Sequence, residues 1–381
     1  MRLPILVLFP FALGIAPIAG CNDVDPKFND TPQVSCTSFV FLEPANYDAG
    51  ASPSAATVGD FNQDGHVDVA VVNQTSDTVS LLFGRGDGSF EVPAVTVASE
   101  GKAPAAVAAS DFNADGISDL AVVNRADANV SVLLGSESAL GTPDHYAVGP
   151  SPAAIAVGDL NGDGKPDMVV GNEDDSTISV LPGLGDGTFG LALSFAAGGI
   201  PKGIALGDFN RDLLFDVAVA NSGNNVTILL GIGGGQFATA IPYLVGATPY
   251  SVAVGEFNLD GKVDLAVANG SSNNVSILLG NGDGTFQNAL SYGTGLDPRS
   301  VVVGDFNCDH SPDLAIANYQ TNNVSVLLGS GADPFQAAVD YKASWGARSA
   351  VIGDFNGDMR PDLVVTNSGD DNVSILLNGS K

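Results

Sequence analysis

Short runs of apolar residues, separated by Gly, Asn and Asp, recur along the chain with a period of about 49 residues. In each unit an acidic residue, then an aromatic residue or Leu, then Asn marks the same point. These landmarks are Asp60, Asp111, Asp159, Asp208, Glu256, Asp305 and Asp354, at intervals of 51, 48, 49, 48, 49 and 49 residues. A period of this length indicates an array of one supersecondary unit. Seven units fill the chain from about residue 37 to its end.

The fifth unit shows which elements the pattern predicts. Residues 251–255, 265–269 and 275–280 have the composition of short strands, and Phe286 is expected to open a fourth. Polar turns separate them, including a tight Asn-Gly-Asp-Gly turn at 281–284. Four short strands per unit predict a propeller blade. The small residues of the first strand suit a position where seven strands crowd around a central axis.

The two ends of the chain complement each other. The seventh unit ends at Leu377 after its third strand, and Phe39 lies 21 residues before Asp60, as Phe90 lies 21 before Asp111. Residues around 38 to 47 are therefore predicted to complete the last blade, which leaves no open sheet edge. The sequence predicts an all-β fold over residues 37–381, a seven-bladed propeller of four-stranded antiparallel blades closed by the N-terminal strand.

An acidic loop follows the first strand of each unit. Counted from the landmark, positions 1, 3, 5 and 9 carry oxygen side chains, and position 7 offers a backbone carbonyl. Such a set converging in a tight loop favours Ca²⁺, and Gly at position 6 allows the positive φ the turn needs. The loops with this glycine contain Asp60, Asn62, Asp64, His66 and Asp68; Asp111, Asn113, Asp115, Ile117 and Asp119; Asp159, Asn161, Asp163, Lys165 and Asp167; and Glu256, Asn258, Asp260, Lys262 and Asp264.

Three further loops keep the side-chain ligands without the glycine. They contain Asp208, Asn210, Asp212 and Asp216; Asp305, Asn307, Asp309 and Asp313; and Asp354, Asn356, Asp358 and Asp362. Leu213, His310 and Met359 replace the glycine, so weaker metal binding is expected, weakest beside Leu213. The alternative is that all seven are Asx-rich turns that bond backbone amides. Repulsion on the order of 1 kcal/mol per carboxylate pair favours the metal, and we expect up to seven Ca²⁺ ions.

The repeated motifs resemble a known family. Asp-Phe-Asn-x-Asp-Gly followed by Val-x-Leu-Leu-Gly-x-Gly-Asp-Gly-Thr-Phe is similar to the FG-GAP (VCBS-type) repeat, which integrin α-subunit propellers also carry. The resemblance covers residues 37–381 and implies the propeller fold. Members of this family include adhesion modules, lectins and a few polysaccharide lyases, so the resemblance leaves the function open.

The N-terminus is typical of an exported lipoprotein. Arg2 precedes an apolar run from residue 3 to 18 that is short and interrupted by prolines, unlike a transmembrane span. Ile18-Ala-Gly-Cys21 resembles a lipoprotein processing box. We predict a signal peptide over 1–20, lipidation of Cys21 and a tether over 21–36, with plain secretion as the alternative. Under this resemblance, Asn22 in place of Asp implies an outer-membrane or surface location if the cell is Gram-negative.

Charge and cysteine content narrow the function classes. The formal net charge is −29 with only 14 Lys and Arg, which argues against nucleic acid because phosphate binding needs clustered cations. The membrane is expected to be a partner only through the lipid. Cys36 and Cys308 are predicted to lie on the face of the acidic loops, where we favour free thiols over a disulfide between them.

One position near the axis breaks the repeat. The sixth residue before each landmark reads Ser54, Ala105, Ala153, Lys202, Tyr250, Arg299 and Arg348. We predict a ligand site in which Lys202, Arg299 and Arg348 meet an anionic group. Trp345, Tyr250 and Tyr319 are predicted to stack on a sugar or peptide. The alternative is that these cations only offset the protein's own negative field.

The sequence favours binding over catalysis. Two of the three histidines, His66 and His310, lie inside acidic loops, and His145 stands alone in an outer strand region, so no nucleophile has an evident base. We expect a calcium-stabilised cell-surface binding or adhesion module for a glycan or a protein. The alternatives are a polysaccharide lyase or glycosidase that uses the face opposite the acidic loops, and a structural envelope protein.

Overall fold

The chain forms a closed ring of seven four-stranded antiparallel sheets, which confirms the predicted fold class. The computed structural model describes residues 39–136, 140–331 and 335–380. The predicted signal peptide, Cys21 and the tether with Cys36 lie outside these residues. The sheets are numbered as blades 1 to 7 in chain order, and blade 7 contains both ends of the described chain.

The strands follow the repeat closely. Those of blades 1 to 3 are β2 (Pro53–Gly59), β3 (Asp68–Asn73), β4 (Thr78–Leu82) and β5 (Val95–Ala98); β6 (Pro104–Ser110), β7 (Asp119–Asn124), β8 (Asn129–Leu133) and β9 (Asp144–Ala147); and β10 (Pro152–Gly158), β11 (Asp167–Asn172), β12 (Thr177–Leu181) and β13 (Leu193–Ala196). Those of blades 4 and 5 are β14 (Pro201–Gly207), β15 (Asp216–Asn221), β16 (Asn225–Leu229) and β17 (Ile241–Leu244); and β18 (Pro249–Gly255), β19 (Asp264–Asn269), β20 (Asn274–Leu278) and β21 (Leu290–Gly293). Those of blades 6 and 7 are β22 (Pro298–Gly304), β23 (Asp313–Asn318), β24 (Asn323–Leu327) and β25 (Val339–Lys342); and β26 (Ala347–Gly353), β27 (Asp362–Asn367), β28 (Asn372–Leu376) and β1 (Ala45–Asp48).

The core lies between the blades. The second strand of each blade is buried along its whole length because both of its faces pack against neighbouring blades. Seven hydrophobic clusters each join residues from two adjacent blades, and one of them contains both Val72 of blade 1 and Leu120 of blade 2. The same apolar pattern therefore serves every interface, and the ring closes when blade 7 packs on blade 1.

A β-bulge opens the first strand of every blade. In blade 1, Pro53 pairs with Asn73 and Ala55 pairs with Val72, so Ser54 is the extra residue. The register shifts at the equivalent position in the other six blades. A bulge redirects the side chain of its extra residue. The extra residues of the seven bulges are the residues six positions before each acidic landmark, which the sequence predicts to lie near the axis.

The N-terminal strand closes the ring as predicted. β1 pairs with β28, and Phe41 forms a bridge with Asn378. Phe41 is 4% exposed, and its ring centroid lies 5.6 Å from that of Phe306 and 5.3 Å from that of Tyr341. Phe39 contacts the same rings. Aromatic packing between blades 6 and 7 thus holds the closing segment in place.

One detail of the predicted blade is wrong. Phe286 was expected to open the fourth strand, but that strand begins at Leu290 and Phe286 instead forms a bridge with Gly280 across the tight turn. The ring of Phe286 is buried against Phe209 of the preceding blade, at 5.4 Å between centroids. Interblade packing, not strand pairing, explains this aromatic residue.

Replacing Phe41 with Ala is expected to lower the free energy of unfolding by about 3–5 kcal/mol, because it removes a buried ring and leaves a cavity. Denaturant unfolding monitored by circular dichroism measures this loss. Leu191→Ala is the matched control, since Leu191 is 93% exposed and should change stability little. Equal effects of the two substitutions would show that the closing segment contributes nothing to the ring.

Candidate functional site

A buried carboxylate ends the acidic loop of every blade. Position 9 is Asp68, Asp119, Asp167, Asp216, Asp264, Asp313 and Asp362, each at most 1% exposed. Its Oδ2 accepts a hydrogen bond from the backbone N–H of position 2 at 2.7–3.0 Å. Its Oδ1 accepts another, at 2.6–2.8 Å, from the backbone N–H of a residue just after the third strand. The carboxylate therefore ties the start of its loop to the end of the third strand.

Burial sets the protonation of these carboxyls. It raises the pKa of Asp68 from 3.8 to about 6, because the backbone hydrogen bonds that lower this pKa do not outweigh burial and the nearby charges of Asp64 and Asp60 add to it. The pKa of Asp313 and of Asp362 rises to about 7 for the same reasons. In the absence of a metal, ionisation of these groups therefore weakens the folded state.

Positions 1, 3 and 5 turn their oxygens towards the loop's own backbone. In blade 1, the Asp60 carboxylate accepts hydrogen bonds from the N–H groups of Asp64 and Gly65 at 3.2 and 3.0 Å. Asn62 Oδ1 accepts from Asp64 N–H at 3.0 Å, and Asp64 Oδ1 accepts from His66 N–H at 2.8 Å. Within the described residues, no three Asp, Glu, His or Cys side chains are gathered into a group that could hold a metal ion.

The donor chemistry of the loops nevertheless suits a hard cation. All the side-chain acceptors are oxygens, and an ionised carboxylate oxygen that receives one N–H keeps a further lone-pair site. The loop also turns back on itself as expected, with φ of 81° at Gly65. Leu213, His310 and Met359 take the same conformation with φ of 68°, 68° and 63°, which costs a residue with a side chain roughly 1–2 kcal/mol.

Three loops contain a cationic side chain beside a carboxylate, and a fourth contains a histidine there. Lys262 Nζ lies 2.9 Å from Asp260, and Lys165, His310 and Arg360 lie 3.8, 3.8 and 3.9 Å from carboxylates of their own loops. Over the described parts of the chain, the loops that begin at Asp60, Asp111 and Asp208 have no such ion pair. The seven loops therefore differ in how much of their negative charge is already compensated.

The opposite face opens into a cavity of about 430 Å³ on the axis. We call it the axial cavity, and the face that carries it the axial face. All seven bulge residues line it, which confirms where the sequence placed them: Ser54, Ala105, Ala153, Lys202, Tyr250, Arg299 and Arg348. Arg125 and Glu173 also line it. Four cations and one carboxylate thus face one cavity in a chain of net charge −29.

Two of the cations share Glu173, the only carboxylate that the described residues contribute to that lining. Arg125 holds Glu173 through two hydrogen bonds of 2.9 and 2.5 Å, and Lys202 Nζ donates to Glu173 at 2.8 Å. Burial alone raises the pKa of Glu173, but the hydrogen bonds from Arg125 and Lys202 outweigh it and hold the pKa below its usual value. Lys202, predicted to meet an anionic ligand, therefore meets an anion of the protein itself.

Arg299 is also compensated. Its guanidinium donates to Asp297 at 2.9 and 3.1 Å and lies 4.9 and 3.9 Å from the ring centroids of Tyr250 and Tyr319. Cation–π contact with a guanidinium favours this arrangement. The structure thus brings the predicted Tyr250, Arg299 and Tyr319 together, but their ring faces contact Arg299, so stacking on a sugar there requires Arg299 to move.

Arg348 differs from the other three cations. Its Nη1 donates to Gln74 Oε1 at 3.2 Å, and among the described residues no carboxylate forms an ion pair with it. Burial lowers the pKa of Arg348, and the positive charge of Arg299 lowers it further. A partly buried guanidinium beside a neutral partner is a site of uncompensated positive charge.

Trp345 lies on the axial face but does not line the cavity. It is 62% exposed, and a Cβ on Gly369 would lie only 2.5 Å from its Cδ2, so the ring packs against this glycine. The remaining surface of the indole is open to solvent. Trp345 therefore forms an exposed aromatic platform near the cavity, not part of its wall.

Sequence reasoning missed a second set of axial residues. The residue after the last Asn of each second strand is Gln74, Arg125, Glu173, Ser222, Gly270, Tyr319 and Ser368. Three of these, Gln74, Glu173 and Tyr319, contact the basic bulge residues. Their variation at a fixed place in an otherwise regular repeat was the available signal, and only Tyr319 was noticed.

No catalytic group emerges around His145. Contrary to the expectation that it stands alone, its Nδ1 lies 3.0 Å from Ser131 Oγ. Ser131 has no exposed surface and accepts a hydrogen bond from Asn124 at 2.7 Å. A hydroxyl buried in this way inside a blade is unsuited to attack a substrate, so the pair is structural.

Comparison with known sequences agrees with this architecture. Six segments match the model of the FG-GAP-like repeat, at residues 60–122, 111–170, 159–219, 208–267, 256–316 and 309–365. The chain belongs to the FG-GAP-like repeat family. Each segment runs from one acidic loop into the next blade, so six segments of this FG-GAP-like propeller span all seven loops. No curated protein sequence matches the chain.

Solved structures share the fold at low sequence identity. BBS1N in complex with ARL6DN aligns with a TM-score of 0.63 at 13% identity, over 89% of this chain and 97% of that one. An Agrocybe aegerita lectin specific for non-reducing terminal N-acetylglucosamine gives 0.55 at 16%, over 86% and 96%. A Bacteroides fragilis protein proposed to be a 6-phosphogluconolactonase gives 0.58 at 17%, over 77% and 85%. Across the described ranges, the FG-GAP-like propeller contains no helix long and apolar enough to cross a membrane.

Proposed function

We propose that this FG-GAP-like propeller is a calcium-stabilised binding module, lipid-anchored at the cell surface, which takes a glycan or protein ligand on its axial face. The observation that carries the proposal is the axial cavity, where four cations converge although the chain has a net charge of −29. Propellers of the same fold bind a protein in the complex of BBS1N with ARL6DN and a sugar in the Agrocybe aegerita lectin. Both kinds of ligand are therefore compatible with the fold.

Calcium would be held by the acidic loops. Bound there, Ca²⁺ supplies positive charge that neutralises the carboxylates and stiffens the loop. The loops that begin at Asp60 and Asp111 are the best sites, because they have Gly at position 6 and no cation paired with their carboxylates. The Asp208 loop has a strained Leu213, and the Asp305 loop has a strained His310. The loops that begin at Asp159, Glu256 and Asp354 already contain a cationic side chain.

Calcium and pH are expected to act together on stability. In chelator, the melting temperature should fall as the pH rises from 5 to 7.5. The folded protein holds protons on the position-9 carboxyls, with pKa of about 6 at Asp68 and about 7 at Asp313, which the unfolded chain has already lost. Saturating calcium at pH 7.5 should restore several degrees, because the ion binds only the folded loops. Scanning calorimetry measures both effects.

A matched pair of variants identifies the loops involved. Asp64→Ala should remove one calcium from the stoichiometry measured by titration calorimetry, whereas Asp260→Ala should change binding less because Lys262 already pairs with Asp260. Identical melting temperatures in chelator and calcium at pH 7.5 would refute calcium binding by the folded loops. A melting temperature that rises with pH in chelator would refute the protonation of the buried position-9 carboxyls.

The enzymatic alternative finds little support. A lyase or glycosidase needs a general base or acid poised at the ligand. Glu173, the only carboxylate lining the axial cavity in the described parts of the chain, is held by two cations. The lowered pKa of Glu173 also makes this residue unsuitable as a general acid. The likeness to a protein proposed to be a lactonase is one of fold only. A structural envelope protein is the other alternative, and ligand binding separates it from the proposal.

Binding is tested on a glycan array and by affinity capture of surface proteins, with a reducing-end release assay in parallel. We expect saturable binding without release of reducing ends. Trp345→Ala should weaken binding at least tenfold, whereas Leu244→Ala, which removes a 74% exposed side chain elsewhere, should not. Sugar release would favour the enzyme, and absence of any ligand would favour the structural role.

Lipid anchoring is tested by Cys21→Ser. This variant should leave the membrane fraction and appear in the soluble fraction or the medium, because a lipidated Cys provides the only predicted membrane contact. Conservative replacement of the neighbouring Asn22 by Gln is the control for processing. Retention of the Cys21→Ser protein in the membrane fraction would exclude the anchor.

A further inference from the structure

The axial cavity contains one cation whose charge the protein does not balance. Arg125 and Lys202 share Glu173, and Arg299 pairs with Asp297, whereas Arg348 is bonded only to the neutral Gln74 in the part of the chain the structure describes. The repeat explains the difference. The place of Asp297, two residues before the basic residue, is occupied by Gly346 in blade 7, and the place of Glu173, in the preceding blade, is occupied by Tyr319.

Leaving this charge unbalanced is energetically unfavourable. A partly buried charge without a counter-charge weakens the folded state, and the lowered pKa of Arg348 reflects this partial burial together with repulsion by Arg299. The chain has 43 acidic residues, yet none of those within the described ranges forms an ion pair with Arg348. A group that persists at such a cost is a candidate for function.

We propose that Arg348 binds a single carboxylate of the ligand inside the axial cavity, and that this carboxylate belongs to an acidic sugar. This inference rests on the proposed function, since it names the ligand of the same face. A guanidinium has five N–H donors in a planar fork that matches a carboxylate, and the structure uses one nitrogen for Gln74.

A monoanion fits better than a multiply charged group. One uncompensated cation balances one negative charge, while the net charge of −29 repels polyanions at long range. The cavity of about 430 Å³ also falls within the range of roughly 300–1,000 Å³ typical of small-ligand pockets. The occupant is therefore a compact carboxylate-bearing unit.

The aromatic platform favours a sugar over a peptide end. Trp345 precedes Arg348 by three residues, so their backbones are separated by at most about 10 Å. Its indole is packed on Gly369 and is 62% exposed, which leaves surface for a pyranose ring. A sugar at Trp345 and a carboxylate at Arg348 are thus within reach of one short acidic oligosaccharide.

The test uses titration calorimetry on the full mature protein in calcium and low salt. The probes are D-glucuronate, D-glucose, inorganic phosphate, and acetyl-Ala-Ala as free acid or amide. Glucuronate should bind at least tenfold more tightly than each of the other four. Arg348→Gln should weaken glucuronate at least tenfold, and Arg348→Lys should recover only part because it keeps the charge without the planar fork.

Controls separate loss of binding from loss of folding. Arg85→Gln removes the same charge from an exposed turn on the other face and should leave glucuronate binding unchanged. Without ligand, Arg348→Gln should melt at the same or a higher temperature than the parent, because an unbalanced charge is removed. A lower melting temperature together with unchanged glucuronate binding would assign Arg348 a structural role and overturn the proposal.

The remaining outcomes are distinct. Equal affinity for glucose and glucuronate would show that the carboxylate is not required. Tighter binding of phosphate than of glucuronate would contradict a preference for a monoanion. Tighter binding of the peptide acid would contradict a sugar ligand. Binding of neutral glycans or proteins that depends on Trp345 but not on Arg348 overturns this inference and leaves the proposed function standing. Glucuronate binding that depends on Arg348, with no glycan or protein captured, supports the anion site and removes the binding-module function.

Discussion

In every blade, a carboxylate with almost no exposed surface accepts two backbone N–H groups, and both the ring and its loops depend on this contact. Each of these amides would cost about 1–3 kcal/mol if buried unpaired. The Asp68 contact fixes Phe61, whose ring fills the interface with blade 2, and fixes the end of the third strand. One side chain thus couples the loop, the sheet and the interblade core, seven times around the axis.

The fold could be predicted almost completely because the sequence repeats with a regular period of about 49 residues. Repeated apolar strands and acidic landmarks define seven blades, and the missing strand at one end matches the surplus at the other. The start of the fourth strand was misplaced because Phe286 has the strand-like character of an aromatic residue but packs on a neighbouring blade. Packing across a repeat boundary is invisible to a pattern within one repeat.

The candidate site was predictable in position and less so in chemistry. The bulge at the entrance of each first strand explains why one variable position per repeat reaches the axis, and that position was found from the sequence. The pairing of its residues was not, because Lys202 meets Glu173 in another blade and Arg348 meets Gln74 at the far end of the chain. Which cation keeps an unbalanced charge emerges only once the ring is closed. For the acidic loops, the sequence identified the oxygen-bearing side chains and the turn. The hydrogen bonds that these oxygens accept from backbone N–H groups depend on the folded backbone.

The route of the closing strand fixes an orientation. Phe41 forms a bridge with Asn378, and the backbone N–H of Asn378 donates a hydrogen bond to the Asp362 carboxylate of the last acidic loop. The described chain therefore enters at the outer rim of the acidic-loop face and runs along β1 towards the opposite face. The axial cavity opens on the opposite side of the ring from this entry point, so a ligand in the cavity and the entering polypeptide approach the propeller from different sides.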